Sequence, residues 1–212
     1  MRPKPGPAAR FWNRHADRYA RSPVRSESDY QAKMEHIRSL LRPDMEVLEF
    51  GCGTGSTALA LAGYVKRIHA TDISIRMIEI AREKARLADI GNVHFEPVCF
   101  EDCAETANTY DVIMGNSILH LMGDYGAAIT KVSAMLKPGG YFISNTTCLD
   151  DDFKFLRLVM PLGRLVGLMP PVAFFTEKQL VENLQRAGFS IAHQWKPARR
   201  RAVFIVAVKS GQ

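Results

Sequence analysis

The chain has 212 residues, 47% of them hydrophobic and 24% charged, with a formal net charge of +6. That length suits one domain with a sizeable core, or one domain carrying a small insertion, and the composition excludes a largely disordered or fibrous chain. The most apolar stretch, Phe155 to Phe175, is interrupted by Arg157 and Arg164 and broken by Pro161, Pro170 and Pro171, so its uncharged run falls short of the roughly 18–20 residues that span a bilayer.

In chain order, Met1–Arg10 mixes three prolines and a glycine with basic residues and reads as irregular. The positive charge gathers at the ends, in Arg2, Lys4, Arg10, Arg14, Arg18, Arg21 and Arg25 and again in Lys196 and Arg199 to Arg201. No interleaved aromatic signature accompanies it, so it reads as a solvated basic face and nucleic acid is not an expected partner. An aromatic-containing leader (Phe11, Trp12, Tyr19, Tyr30) precedes helical spacing at Met34, Ile37, Leu40 and Leu41, which Pro43 stops. Residues 1–45 form this leader and helix, expected to close over a ligand site in the main domain, 46–212. Then strands and helices alternate: strand Glu46–Phe50, a glycine turn, helix Ser56–Tyr64, strand Lys66–Asp72 and helix Ser74–Ala88. Ser74 caps that last helix and Gly91 ends the turn after it.

Strand Val93–Val98, strand Tyr110–Gly115 and helix Tyr125–Leu136 follow, and Lys137-Pro138-Gly139-Gly140 turns into strand Tyr141–Thr146. Helix Thr176–Ala187, capped by Thr176 and ended by Gly188, precedes two closing strands, Ser190–Gln194 and Ala202–Val208. Such alternation predicts an α/β fold, a mostly parallel sheet covered on both faces, with ligands beyond the carboxyl ends of the strands. The segment 149–175 breaks the alternation and reads as an inserted substrate lid. Its apolar residues suit an apolar acceptor, and Arg157 with Arg164 could give peripheral contact with an anionic membrane surface.

The cysteines Cys52, Cys99, Cys103 and Cys148 form no CxxC pair and the histidines are scattered, so no metal is expected. The N-terminus has charge but no apolar region behind it, which points to a cytoplasmic protein. Chemistry gathers at Glu49-Phe50-Gly51-Cys52-Gly53-Thr54-Gly55, where a strand runs into three alternate glycines and then a helix. Glycine there permits positive φ and close backbone approach to a ligand. Ser56 replaces the third glycine of a dinucleotide fingerprint, and no Gly-Lys-Ser/Thr of a P-loop follows. Glu49 would repel a pyrophosphate and suits a cationic ligand. Asp72 ends the second strand, placed to accept hydrogen bonds from both ribose hydroxyls. These features describe a nucleoside ligand without phosphates.

On Glu49–Gly55, Ala70–Ser74, Tyr110–His120 and Leu136–Phe142 the chain resembles the class I S-adenosylmethionine-dependent methyltransferases, especially the small-molecule group with the ubiquinone and menaquinone biosynthesis enzymes. The resemblance implies a Rossmann-like doubly wound sheet of seven strands with the last antiparallel, and S-adenosyl-L-methionine as cofactor. It implies that the loop from Glu49 and Phe50 through Gly51, Gly53, Thr54 and Gly55 carries the methionine part. Asp72 would hold the ribose, with Ile73 and Met77 flanking the adenine. Asn116 and Ser117 would face the cofactor near the sulfonium, and Tyr19 would close over its amino-acid end. After the third strand the family commonly has an acid for the adenine; here Cys99 or Phe100 stands there, with Glu101 and Asp102 slightly late.

The activity implied is methyl transfer by in-line displacement to a small apolar or amphiphilic metabolite. Positioning alone can lower that barrier by about 7–11 kcal/mol, so no catalytic dyad is required. His120 is the candidate base. The alternatives are an RNA or protein methyltransferase and a cofactor-binding regulator without turnover. Against the first, Asn116-Ser117-Ile118-Leu119 lacks the Pro-Pro motif of base-amino methylases.

Overall fold

The structure, a computed structural model, describes residues 6–23, 26–104, 106–157, 172–198 and 202–211. Seven strands are β1 (Glu46–Phe50), β2 (Arg67–Asp72), β3 (Val93–Pro97), β4 (Tyr110–Asn116), β5 (Leu136–Thr146), β6 (Phe189–Trp195) and β7 (Val203–Lys209). They form one sheet of order β3-β2-β1-β4-β5-β7-β6, in which β7 alone runs antiparallel to its neighbours. Among the described residues the helices are α1 (Pro7–Arg21), α2 (Glu27–Leu40), α3 (Ser56–Leu61), α4 (Ile75–Leu87), α5 (Tyr125–Met135), α6 (Leu149–Asp152) and α7 (Glu177–Arg186).

Strand alternation divides the core into two layers. On one face Leu48, Phe50, Ile113, Phe142 and Ile205 pack under α5 and α7 through Ile129, Val132, Leu180 and Leu184. On the other, Val47, Ile68, Val112, Met114, Ile143 and Val206 meet Met34 and Ile37 of α2 and Ile78 and Ala81 of α4. Both faces are thus covered, the Rossmann-like arrangement that βαβ crossovers produce. The chain moves outward from β1 to β2 and β3, then returns to add β4 on β1's other side. The switch leaves a crevice beyond the carboxyl ends of β1 and β4.

Caps behave as their chemistry dictates. Ser74 Oγ accepts the Met77 N–H at 3.1 Å, and Thr176 with Gln179 closes a capping box at the start of α7.

Three expectations need correction. Pro7 to Arg10, expected as part of an irregular start, opens a helix that runs on to Arg21; Pro7 sits in its first turn, where no N–H is needed, and Ala9 and Ala16 bury one face. The turn after α4 ends on the left-handed Asp89 (φ 52), two positions before the Gly91 expected to end it. Lys137–Gly140 is no separate turn before a strand. It bulges within β5, where pairing jumps from Tyr110–Leu136 to Val112–Tyr141. Asp111 explains why: it takes Lys137 Nζ at 2.9 and 2.8 Å and the Glu46 N–H at 2.8 Å, tying the bulge to the start of β1.

Candidate active site

After Phe50 the backbone turns left-handed at Gly51, Gly53 and Gly55 (φ 65, 55 and 75). Gly55 shows the second reason for glycine, since a Cβ there would lie 2.7 Å from the Phe95 ring and 2.9 Å from Ala81. One carboxylate ties this loop to the next strand. Gly53 N–H donates to Asp72 Oδ2 at 2.9 Å and Ser74 N–H to Oδ1 at 2.8 Å. Each oxygen therefore holds one backbone donor and keeps a lone pair for another. Burial raises the Asp72 pKa, and the two N–H groups work against that rise.

Glu49 lies beneath this floor. It is only 1% exposed and does not line the cavity above. Asn116 Nδ2 donates to its Oε1 at 3.3 Å, while Oε2 is buried without a hydrogen-bond partner. Burial pushes the carboxyl from 4.5 to about 7, with the Asp72 charge adding to the rise. Thr54 and Gly55 also stand behind the wall: Thr54 Oγ1 accepts from Lys84 Nζ at 2.9 Å.

The opposite wall follows β4. Ser117 is left-handed (φ 57), a conformation costly for a residue with a Cβ, and its N–H donates to Asn145 O at 2.6 Å. One 3-10 turn, Leu119–Leu121, then brings His120 to the cavity. His120 Nδ1 is 3.1 Å from Thr146 Oγ1, and burial drives its pKa down to about 4, so the ring is neutral at pH 7. On the β3 side, Phe50 stacks on Phe100 at 4.2 Å between centroids, beside Ile73 and Met77. Cys99 Sγ donates to Glu101 Oε2 at 2.7 Å; burial and that acid raise the thiol to about 12, so it stays protonated.

The roof is α1, which contributes Ala8, Phe11, Trp12 and a half-exposed Tyr19. Asn13 Oδ1 pins it, accepting Ser74 Oγ–H at 2.7 Å and Arg76 N–H at 3.1 Å, and Asp17 pairs with Arg76 at 2.8 Å. Together these elements enclose a cavity of about 490 Å³. Of the residues the sequence singled out, Tyr19, Phe50, Gly51, Gly53, Asp72, Ile73, Met77, Cys99, Phe100, Asn116, Ser117 and His120 meet on its lining; Glu49, Thr54 and Gly55 support it from behind. Sequence reasoning did not assign Glu101, Ile118, Leu121 or Met122, which also line it. Glu101 carried a signal, as one of two acids just past the expected position.

The segment 149–175 is tied at both described ends. Asp150 N–H donates to Phe175 O at 3.2 Å, and Arg157 grips the Asp150 carboxylate at 2.9 and 2.6 Å, its guanidinium over Phe174. Ala173 N–H reaches His120 O at 2.8 Å, linking the segment to the candidate base. Residues 158–171, with Arg164 and most of the apolar lid expected there, lie outside the described residues, as do Arg2, Lys4, Arg25 and Arg199–Arg201. Arg10, Arg14, Arg18 and Arg21 are exposed on α1. Among the described residues no helix is long and apolar enough to cross a membrane.

A seven-stranded Rossmann-like sheet with its cavity at the switch point defines a ligand-binding α/β domain of the doubly wound class. The chain belongs to the methyltransferase domain family, whose model matches residues 17–194. It is 29% identical over 124 residues to the uncharacterized methyltransferase YcgJ of Bacillus subtilis (strain 168), covering 58% of this chain and 49% of that protein. It is 29% identical over 168 residues to a demethylmenaquinone methyltransferase of Staphylococcus aureus (strain MRSA252), covering 71% of this chain and 63% of that one. The chain thus spans about half to less than two thirds of these relatives. In fold it is similar to magnesium protoporphyrin IX methyltransferase (ChlM) from Synechocystis PCC 6803, solved with bound SAH: the TM-score is 0.73 at 19% identity, over 95% of this chain and 97% of that one.

Proposed function

We propose that the protein transfers a methyl group from S-adenosylmethionine to a small apolar or amphiphilic acceptor in the cytoplasm. The observation that carries this reading is the meeting of the left-handed Gly51–Gly53 turn with the Asp72 carboxylate on one cavity wall. The residues present fit a cationic nucleoside. Asp72 has one lone pair free on each oxygen for the two ribose hydroxyls, and Glu49 holds an unpartnered buried oxygen under the floor. Ile73, Met77, Cys99 and Phe100 would flank the adenine, and Gly51, Gly53, Asn116, Ser117 and Tyr19 would take the amino-acid end.

When bound, the cofactor supplies the activated methyl group; position and exclusion of water fall to the protein. α1 covers the cavity, and Phe11, Trp12, Leu121 and Met122 offer an acceptor apolar and aromatic surface. His120, neutral at pH 7, would take the acceptor's proton where one must leave. The names of two relatives, a demethylmenaquinone methyltransferase and a magnesium protoporphyrin IX methyltransferase, support an acceptor of this kind.

The experiment is a thermal-shift comparison of S-adenosylmethionine, S-adenosylhomocysteine and NAD, followed by methyl release on a panel of quinols and other apolar metabolites. Stabilisation by the first two and not by NAD is expected. Stabilisation by NAD alone would overturn the cofactor assignment, and cofactor binding with no methyl release from any acceptor would overturn turnover.

A further inference from the structure

We infer that β2 and β3 carry a binding site for a zinc-class divalent cation, formed by His69, His94 and Glu96. The residues lie up to 27 positions apart in sequence, so their spacing along the chain gives no metal motif. Parallel pairing assembles them: His69 stands opposite His94 in the β2–β3 register, and Glu96 follows two residues on, on the same face of β3. The intervening residues Ile68, Ala70 and Phe95 point into the core on the other face. Core packing therefore sets the strands and leaves these three side chains together on the outer face, where His69 already meets Glu96 and Tyr110.

The donor set and geometry suit the ion. One ligand atom from each residue lies within 4.8 Å of the others, and His69 Nε2 is 2.9 Å from Glu96 Oε2. Tetrahedral zinc, with bonds of about 2.0–2.2 Å, sets adjacent donor atoms about 3.3 Å apart. His94 is exposed and can close the remaining distance by a rotamer change. His69 also has the outer partner that metal-bound imidazoles usually have, with Nδ1 3.3 Å from Tyr110 Oη. A proton on Nδ1 directed at Tyr110 leaves the Nε2 lone pair facing a carboxylate oxygen, an acceptor against an acceptor. A shared cation resolves that contact. Two histidines and one glutamate make a three-ligand site with a fourth position for water. None of the three lines the cavity, so the ion would pin edge strand β3 to β2, the strand that ends in Asp72.

The competing arrangement is a plain His69–Glu96 hydrogen bond in which Tyr110 donates to Nδ1. Calorimetric titration of the chelator-stripped, full-length protein with zinc chloride separates the two. One ion per chain is expected, with a rise in Tm. H94A and E96Q should each weaken binding at least about tenfold, while H36A, which breaks the stacked His36–His193 pair, should leave it unchanged. Cobalt(II) should give a tetrahedral visible spectrum without the near-ultraviolet band of thiolate ligands. Absence of binding, full affinity in both H94A and E96Q, loss of binding in H36A, or a thiolate band placing the metal on cysteine would each overturn the site.

Discussion

Replacing Glu49 by glutamine should strengthen the ligand-free fold at neutral pH while weakening its hold on a cationic ligand. The carboxyl is 1% exposed, and Oε2 has no hydrogen-bond partner. Burial is the main cause of its rise from 4.5 to about 7. A carboxyl that titrates higher in the folded than in the unfolded chain favours folding while protonated. Its contribution is fully present below 4.5, declines as pH rises, and is gone above about 7. At about 1.4 kcal/mol per pH unit, that window is worth about 3 kcal/mol. Glutamine keeps the shape, leaves an oxygen for Asn116 and carries no charge to desolvate. Burial moves His120 the other way, from 6.5 to about 4, so its neutral ring loses stability as the solution turns acid. Only the difference between wild type and variant isolates Glu49. Urea unfolding of the ligand-free proteins should show the variant's advantage growing by about 3 kcal/mol from the acid to the alkaline side of the window. Affinity for S-adenosylmethionine should rise with pH through about 7 in the wild type and stay flat in the variant. Parallel profiles for the two proteins, in unfolding and in binding, would show that Glu49 does not titrate near neutrality.

Three further changes probe the other walls. Asp72→Ala removes the carboxylate proposed to accept hydrogen bonds from two ribose hydroxyls at about 1.5–3 kcal/mol each, so S-adenosylhomocysteine should bind at least about a hundredfold more weakly by calorimetry; wild-type affinity would dismiss the ribose role. His120→Ala should lower turnover at saturating cofactor by about 10²–10⁴-fold if the ring is the base, with cofactor affinity intact. Because burial holds that ring near 4, the acid limb it imposes on the wild-type rate should lie near pH 4 and not near 6.5, and full activity of the variant would remove it from the mechanism. Gly115→Ala places a Cβ 2.5 Å from Phe50 Cζ, on a ring stacked against Phe100. Overpacking of this kind costs about 1–3 kcal/mol, so Tm and S-adenosylhomocysteine affinity should fall together.

The parts of the site that were legible in the sequence are those made by local chain geometry. The Gly51–Gly55 turn, the Asp72 strand end and the Ser74 and Thr176 caps each depend on residues a few positions apart, where backbone sterics and hydrogen-bond reach act directly. What depended on distant partners was not legible. Helix α1 is rich in arginine, and its buried face shows only Ala9 and Ala16; what fixes it over the cavity is Asn13 reaching Ser74 across 61 positions. The sequence announced an acid at Glu49 but not its depth, because burial belongs to α3 and the sheet packed around it. The β5 bulge and the His69–His94 juxtaposition are likewise products of register, which a single strand's pattern does not encode.

Two acids, one lining the cavity and one beneath it, also bear on how the product of the proposed reaction would leave. Burial raises both Asp72 and Glu49, and the Asp72 charge lifts Glu49 further, so in the ligand-free protein each ionised carboxylate makes the other less favourable. A cation in the cavity relieves both, whereas a neutral thioether relieves them less, having lost the sulfonium charge when the methyl group leaves. On the proposed activity, the same carboxylates that would draw a charged cofactor in would loosen their hold once transfer is complete. The ratio of dissociation constants, S-adenosylhomocysteine over S-adenosylmethionine, should accordingly be larger in the wild type than in Glu49→Gln at alkaline pH and converge only where the solution is acid enough to protonate Glu49 in the liganded protein too, below the value of about 7 that holds without ligand. A ratio indifferent to that substitution would mean that the buried charge serves the loop's architecture and not the ligand's.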